Sequence, residues 1–203
     1  EAVAVALARG RSNRELQRDG CWALIPLLAA GSNAGKRLKE TQAGSDVIGF
    51  MAAFPGDRDA QNVGCRALVE MGKCTGDSLG AGAAEVVMAA VRAFPEDQEL
   101  QYFAIWALLM LSRRGREEME GLVEAGAVEA ALLAKNRFPE DQRLQWAACG
   151  CLTTLALGCE SAKRRLTSAG ATSSLLEAVR NLPFTSRCST SSAWEETLTA
   201  VVV

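Results

Sequence analysis

Apolar residues in the stretch 98–112 recur at steps of three and four, as Leu100, Ala104, Ala107, Leu108 and Leu111, and draw one stripe down the side of a helix. The stripe returns along the chain at a regular interval. Gln61, Gln101 and Gln145 head the stretches AQNVGCRALVEMG, LQYFAIWALLMLS and LQWAACGCLTTLA, and Gln17 heads a fourth, LQRDGCWALIPLL. Seven residues before the first three glutamines stand Phe54-Pro55, Phe94-Pro95 and Phe138-Pro139, with Leu182-Pro183 in the next place, so the steps are 40, 44 and 44 residues. Residues 1–17 lie over 85–101, matching at Glu1 and Glu85 and at the terminal Glu-Leu-Gln, so the chain is expected to begin in mid-repeat.

Each repeat reads as three helices. Asn13, Asp57, Asp97, Asp141 and Thr185 share one column just after the Phe-Pro position. All are good N-cap types, with a side-chain oxygen that can accept a free backbone N–H. Proline stops the helix in front of it by steric clash and by restricting the residue before it. The Phe-Pro is therefore expected as a hairpin between two helices. The helix leading into it is expected to start at a small-residue turn, Ala43-Gly44, Ala81-Gly82, Ala125-Gly126 or Ala169-Gly170, and to run about twelve residues. A shorter polar helix fits before that turn, in RRGREEMEGLVE at 113–124 and ESAKRRLTS at 160–168. Between Gly72 and Gly82, KCTGDSLGA has two internal glycines and is about four residues short, so a loop is expected there in place of a first helix.

A unit of 40 to 44 residues, with an Ala-Gly turn before its second helix and a third helix reading x-Q-x-x-A-x-W-A-L-x-x-L, resembles an armadillo repeat. The resemblance spans the chain as a single array, with a partial unit at 1–31 and units at 32–72, 73–115, 116–159 and 160–203. It implies an all-α fold, a right-handed armadillo-type α-solenoid. HEAT repeats, with two helices per unit, are the alternative, and the polar segment before each Ala-Gly favours three.

In armadillo proteins the third helices line a concave groove along which a partner lies extended. Import-receptor members carry a Trp and, four residues on, an Asn in each third helix; the Trp shapes pockets and the Asn bonds the peptide backbone. Here the Trp column reads Trp22, Arg66, Trp106, Gly150 and Trp194, and the Asn column reads Pro26, Glu70, Met110 and Thr154. Without asparagines the backbone clamp is missing, and nuclear-signal binding is unsupported. One turn earlier stand Arg18, Asn62, Tyr102 and Trp146. The partner-binding candidates on the concave face are thus Trp22, Arg66, Tyr102, Trp106, Met110, Trp146 and Thr154. Aromatics so placed are common interface anchors. Packing between adjacent repeats is their other use, and Trp106 is the residue most expected in the groove.

Composition narrows the chemistry. The chain has 203 residues, 49% of them hydrophobic, enough for a large core, and its net charge of −2 with interspersed signs argues against a nucleic-acid surface. Histidine is absent and there is one tyrosine. Acidic pairs such as Glu117-Glu118, Glu140-Asp141 and Glu195-Glu196 fall at helix starts or on polar helices, where solvation and the helix dipole account for them. GSNAGKR at 31–37 fails as a phosphate loop: the glycine spacing is one short, no Ser or Thr follows Lys36, and no strand precedes it. Basic clusters at Arg113, Arg114 and Arg116, and at Lys163, Arg164 and Arg165, read as the solvated face of the first helices. No catalytic residues, cofactor or metal are expected.

Seven cysteines without paired spacing point to a reducing intracellular compartment, the cytoplasm first. Cys21, Cys65 and Cys149 share a column with Ile105, which marks a small buried apolar site. No apolar run reaches the roughly 18 residues of a membrane span. The chain has neither an initiator Met nor a signal-peptide layout, so it is expected to be a fragment or processed product. EAVAVALA at 1–8 and AWEETLTAVVV at 193–203 both read as uncapped ends, so the array is expected to continue in a longer protein or to dock its ends on other subunits. The expected function is a non-catalytic scaffold or adaptor for a protein partner, or a structural subunit of a multi-subunit complex. The alternative is the regulatory or targeting arm of a multidomain enzyme of the kinase or ubiquitin-ligase type.

Overall fold

The structure, a computed structural model, describes residues 13–30, 41–75 and 82–171, together with Val3. Among the described residues there are helices and no strand: α1 (Arg14–Ala29), α2 (Ala43–Ala53), α3 (Arg58–Thr75), α4 (Ala83–Ala93), α5 (Gln98–Ser112), α6 (Arg116–Glu124), α7 (Ala127–Arg137), α8 (Gln142–Gly158) and α9 (Glu160–Ser168). The sequence α6, α7, α8 is one complete unit of short polar helix, helix and long helix, and α9 opens the next. This is the three-helix unit rather than the two-helix one.

Each Phe-Pro corner is built the same way. Phe-Pro-x-Asp forms a four-residue turn, with proline at its second position, closed by the aspartate N–H donating to the phenylalanine carbonyl: Asp57 to Phe54 at 3.1 Å, Asp97 to Phe94 at 3.2 Å and Asp141 to Phe138 at 3.2 Å. The glutamine of the following helix reaches back across the corner. Gln61 Nε2 donates to the carbonyls of Met51 and Phe54 at 2.8 and 2.9 Å, Gln101 to those of Val91 and Phe94 at 2.9 and 3.0 Å, and Gln145 to those of Lys135 and Phe138 at 2.7 and 3.0 Å. Carbonyls left open at the end of the second helix are thereby satisfied from inside the fold.

The aspartates then cap the long helices. Asn13 accepts from Leu16 N–H, Asp57 from Asp59 and Ala60, Asp97 from Leu100, and Asp141 from Arg143 and Leu144. Their outer oxygens do a second job. Arg14 donates to Asp57, Arg58 to Asp97, and Gln98 to Asp141 at 2.8 Å, so the first residue of each long helix is bonded to the cap of the next. The expected cap at Thr185 lies outside the described residues.

The second helices start as expected in two of the three described cases. Gly82 and Gly126 precede α4 and α7 with φ of +86° and +90°, a left-handed geometry that glycine adopts without strain. Gly170 repeats it with φ of +61°. Ala43-Gly44 does not: both residues lie in the first turn of α2 and are buried, and Gln42 occupies the turn position at φ −88°. The alignment slips because Gly44 is ten residues from its Phe-Pro, whereas Gly82 and Gly126 are twelve from theirs. A second correction concerns the segment expected as a loop. Helix α3 continues through Thr75, so Lys73 and Cys74 are helical; residues 76–81 are outside the described set, as are the two expected uncapped termini apart from Val3.

The core is a ribbon. Leu24, Leu68, Leu108 and Leu152 stand in one repeat column and are buried, as are Ala43, Ala83, Ala127 and Ala171 in another. Cys21, Cys65, Ile105 and Cys149 form the small buried column that the sequence indicates. Burial pushes the thiols of Cys21 and Cys65 up to about 12 and that of Cys149 to about 11, so they pack as apolar groups. Helices α1, α3, α5 and α8 lie side by side, much more closely than α2, α4 and α7 do. A two-layered array bends toward its tighter layer, so the long helices line the inside of the curve.

Replacing Gln101, which is 2% exposed, by alanine leaves two carbonyls short of a donor and is expected to cost about 2 kcal/mol in urea unfolding. Gln101→Glu is expected to cost more at pH 7, because its buried carboxylate would face those carbonyls and its pKa would rise. The gap between the two variants should close below about pH 4, where the carboxyl is protonated in both states; a gap that persists there would contradict the corner geometry.

Asp57 gives a second test. The hydrogen bond from Arg14 holds its carboxyl below the ordinary range; burial opposes this, and the Ala60 and Asp59 N–H groups assist. A lowered pKa contributes stability that is complete above the ordinary value of about 3.9 and is lost as pH falls through the folded value. Asp57→Asn keeps the cap and loses that charge. The stability difference between wild type and variant should therefore be full at pH 6 and shrink below about pH 4.

Candidate functional site

The inner face carries a continuous run of ring and cation contacts across all four long helices. Trp22 on α1 lies under the guanidinium of Arg66 on α3, 5.1 Å from its ring centre. The same guanidinium lies 5.2 Å from the ring centre of Phe103 on α5. Phe103 touches Tyr102 at 4.9 Å, Tyr102 touches Trp106 at 5.3 Å, and Trp106 meets Trp146 on α8 edge-on at 5.8 Å. Two further cations cover this shelf. Lys73 Nζ sits 4.1 Å from the centre of the Trp106 ring, and the Arg143 guanidinium 4.9 Å from that of Tyr102. Each such pair contributes about 0.5–1 kcal/mol where exposed and more where water is excluded.

The repeat spacing produces this line directly. Residues four apart on a long helix share a face, and the unit step brings Tyr102 and Trp146, or Trp22 and Arg66, to equivalent places on neighbouring helices. The aromatics both pack between repeats and line the face. Trp22 and Trp146 are 43% and 40% exposed, Trp106 is half-buried, and Tyr102 is 8% exposed. Burial, Asp141 and Glu70 raise the Tyr102 phenol against the opposing pull of Arg143 and Arg66. Met110, one turn beyond Trp106, is buried. The Thr154 hydroxyl is turned back onto its own helix and donates to the Gly150 carbonyl at 2.8 Å. Trp22, Arg66, Tyr102, Trp106 and Trp146 thus join one cluster, and Met110 and Thr154 stay outside it.

Phe103, Lys73 and Arg143 are members that sequence reading does not single out. Phe103 follows Tyr102 and reads as core, and Lys73 stands where a loop is expected. The Arg143 column otherwise holds Glu15, Asp59 and Glu99. Trp106 Nε1 is buried without an acceptor among the described residues. Beside Trp22, a recess of about 400 Å³ is lined by Arg18, Asp19, Arg58, Asp59, Asn62 and Glu99.

Nucleophile chemistry has little to build on here. Cys159 begins α9; burial raises its thiol, but the Ser161 hydroxyl and the Ala162 and Ser161 N–H groups outweigh that and lower it. Its Sγ lies 2.9 Å from Ser161 Oγ. No helix among the described residues is long and apolar enough to cross a membrane.

Solved structures share the fold. An engineered protein determined by a structural-genomics consortium superposes on 100% of this chain and 79% of its own, with a TM-score of 0.72 at 21% identity. A second engineered protein from the same source covers 99% of this chain and 48% of its own, with a TM-score of 0.71 at 20% identity. A designed armadillo repeat protein in complex with the peptide (KR)4 covers 97% of this chain and 80% of its own, with a TM-score of 0.68 at 16% identity. The fold is the armadillo solenoid. No family model and no curated protein matches the sequence. At these identities the likeness extends to the armadillo architecture and its layer of third helices, while the side chains on that layer are this chain's own.

Trp106 touches rings on both sides and a cation above, so Trp106→Ala is expected to lower stability by about 3 kcal/mol, against about 1 kcal/mol for the more exposed Trp146→Ala. Thermal or urea unfolding of the two variants checks this; equal losses would mean that Trp106 is not the keystone of the cluster.

Proposed function

We propose that this chain is a non-catalytic protein-interaction scaffold that holds a protein partner along the concave face of α1, α3, α5 and α8. The observation that carries the reading is the contiguous shelf of Trp22, Arg66, Tyr102, Trp106 and Trp146, exposed at both ends and locked in the middle. A shelf whose rotamers are already fixed loses little entropy when a partner settles on it. Aromatic and arginine side chains are the types that dominate binding energy in interfaces. The armadillo likeness supports the same reading, since one of the similar structures holds a peptide. The assignment extends to service as an adaptor or as a subunit of a larger assembly.

A photo-crosslinking amino acid at position 146 on the inner layer, and in a separate variant at position 133 on α7, tests the choice of face. In extracts of the native source, a partner is expected to be trapped from position 146 and not from 133. Trapping from 133 alone would move the interaction to the outer layer and overturn the proposal.

A further inference from the structure

We infer that Asn62 and Tyr102 hold the main chain of an extended partner segment, the Asn62 carboxamide pairing with one of its peptide groups and the Tyr102 hydroxyl bonding a second. The inference rests on the concave-face reading above and adds what the groove grips.

Asn62 on α3 and Tyr102 on α5 stand in one repeat column on neighbouring helices of the inner layer. Both are more than nine-tenths buried, at 7% and 8% exposed. Other polar side chains buried to this degree are engaged inside the fold: Gln61 and Gln101 on corner carbonyls, Ser112 on the Leu109 carbonyl, and Asp141 on the Leu144 N–H. The Asn62 carboxamide and the Tyr102 hydroxyl bond no group among the described residues, and neither is among the polar atoms sealed in the interior. Their polar ends therefore reach the surface, and Asn62 lines the recess beside Trp22. A buried polar group without a bond is costly, so each gains from an occupant that supplies one.

Charge does not choose that occupant. The recess carries both signs, with Arg18 on Asp19 at 3.0 Å, Arg58 on Asp59 at 3.3 Å, and Glu99 without an ion pair among the described residues. What remains to be read is neutral. A carboxamide presents a donor and an acceptor side by side, the complement of the N–H and C=O on one edge of an extended chain. Neighbouring helix axes lie about 8–10 Å apart, and an extended chain rising about 3.3 Å per residue covers that in about three residues. A segment crossing α3 and α5 can thus meet both groups, while Trp22 and Trp146 remain open to its side chains. The Tyr102 ring is fixed against Phe103, Trp106 and Arg143, which holds its hydroxyl in place beforehand.

The test uses a linear dodecapeptide selected on the full chain from a randomised display library, with binding read by fluorescence anisotropy. Replacing single amides of that peptide by esters removes one N–H and weakens one carbonyl acceptor while every side chain stays. Expected on wild type are losses of about fivefold or more at two sites roughly three residues apart. One loss is expected to vanish on Asn62→Leu and the other on Tyr102→Phe, variants that keep the shape of each side chain. Arg116→Gln, on the exposed face of α6, is expected to behave as wild type, and circular dichroism confirms that each variant is folded. Binding that falls in Trp146→Ala, with ester losses that persist in both Asn62→Leu and Tyr102→Phe, would overturn the inference and leave the concave-face reading standing. Binding indifferent to all three of those variants would overturn both. A selection that yields no linear peptide would overturn the inference, because an extended main chain is what the two groups are assigned to receive.

Discussion

The phenylalanine carbonyl oxygen at each Phe-Pro corner accepts two hydrogen bonds, one from the aspartate N–H that closes the turn and one from the glutamine amide of the following helix. Almost everything else follows from that junction. It fixes the angle at which the second helix hands over to the third, and its aspartate caps the third helix at the same time. The free oxygen of the same aspartate then accepts from the first residue of the preceding long helix. One turn of four residues therefore sets the geometry within a unit and the spacing between units. The close packing of the long helices, and with it the curvature, is inherited from a polar motif and not only from apolar burial.

On the inner surface the same spacing brings unlike side chains to like positions. Where one repeat offers a tryptophan, the next offers an arginine, and the ring of one covers the cation of the other. In the Trp column, Trp22, Arg66 and Trp106 alternate ring and guanidinium. A groove lined by identical units would present the same pocket again and again. This one presents a graded surface, with open indoles at its ends and a more buried cluster of rings and cations at its centre. Such a surface distinguishes register along a partner, because no two steps are chemically equivalent.

Much of this was legible in the residues. The unit length, the three-helix order, the capping aspartates and the buried cysteine column all follow from local rules of spacing and side-chain chemistry. The start of α2 was misread because Ala43-Gly44 imitates the turn composition two residues too late; only the distance to Phe54 exposes the slip. The extension of α3 through Lys73 and Cys74 was hidden by the glycines that follow. The cation contacts of Lys73 and Arg143 were invisible for a different reason. They join helices from different units, so they depend on how far one long helix lies from the next, a quantity that no single window of sequence contains. Phe103 was likewise absorbed into the core by its apolar character, although it bridges Arg66 to Tyr102.

The buried cysteine column has a use of its own. Cys21, Cys65 and Cys149 are spaced along the array, and each is shielded by its own stretch of core. A thiol reagent can reach one of them only when that stretch opens. Their separate rates of modification amount to a set of clocks distributed along the solenoid, each reading how often its neighbourhood breathes. An array that opens as one body would run the clocks at a common rate, and one that frays from an end would run them in order.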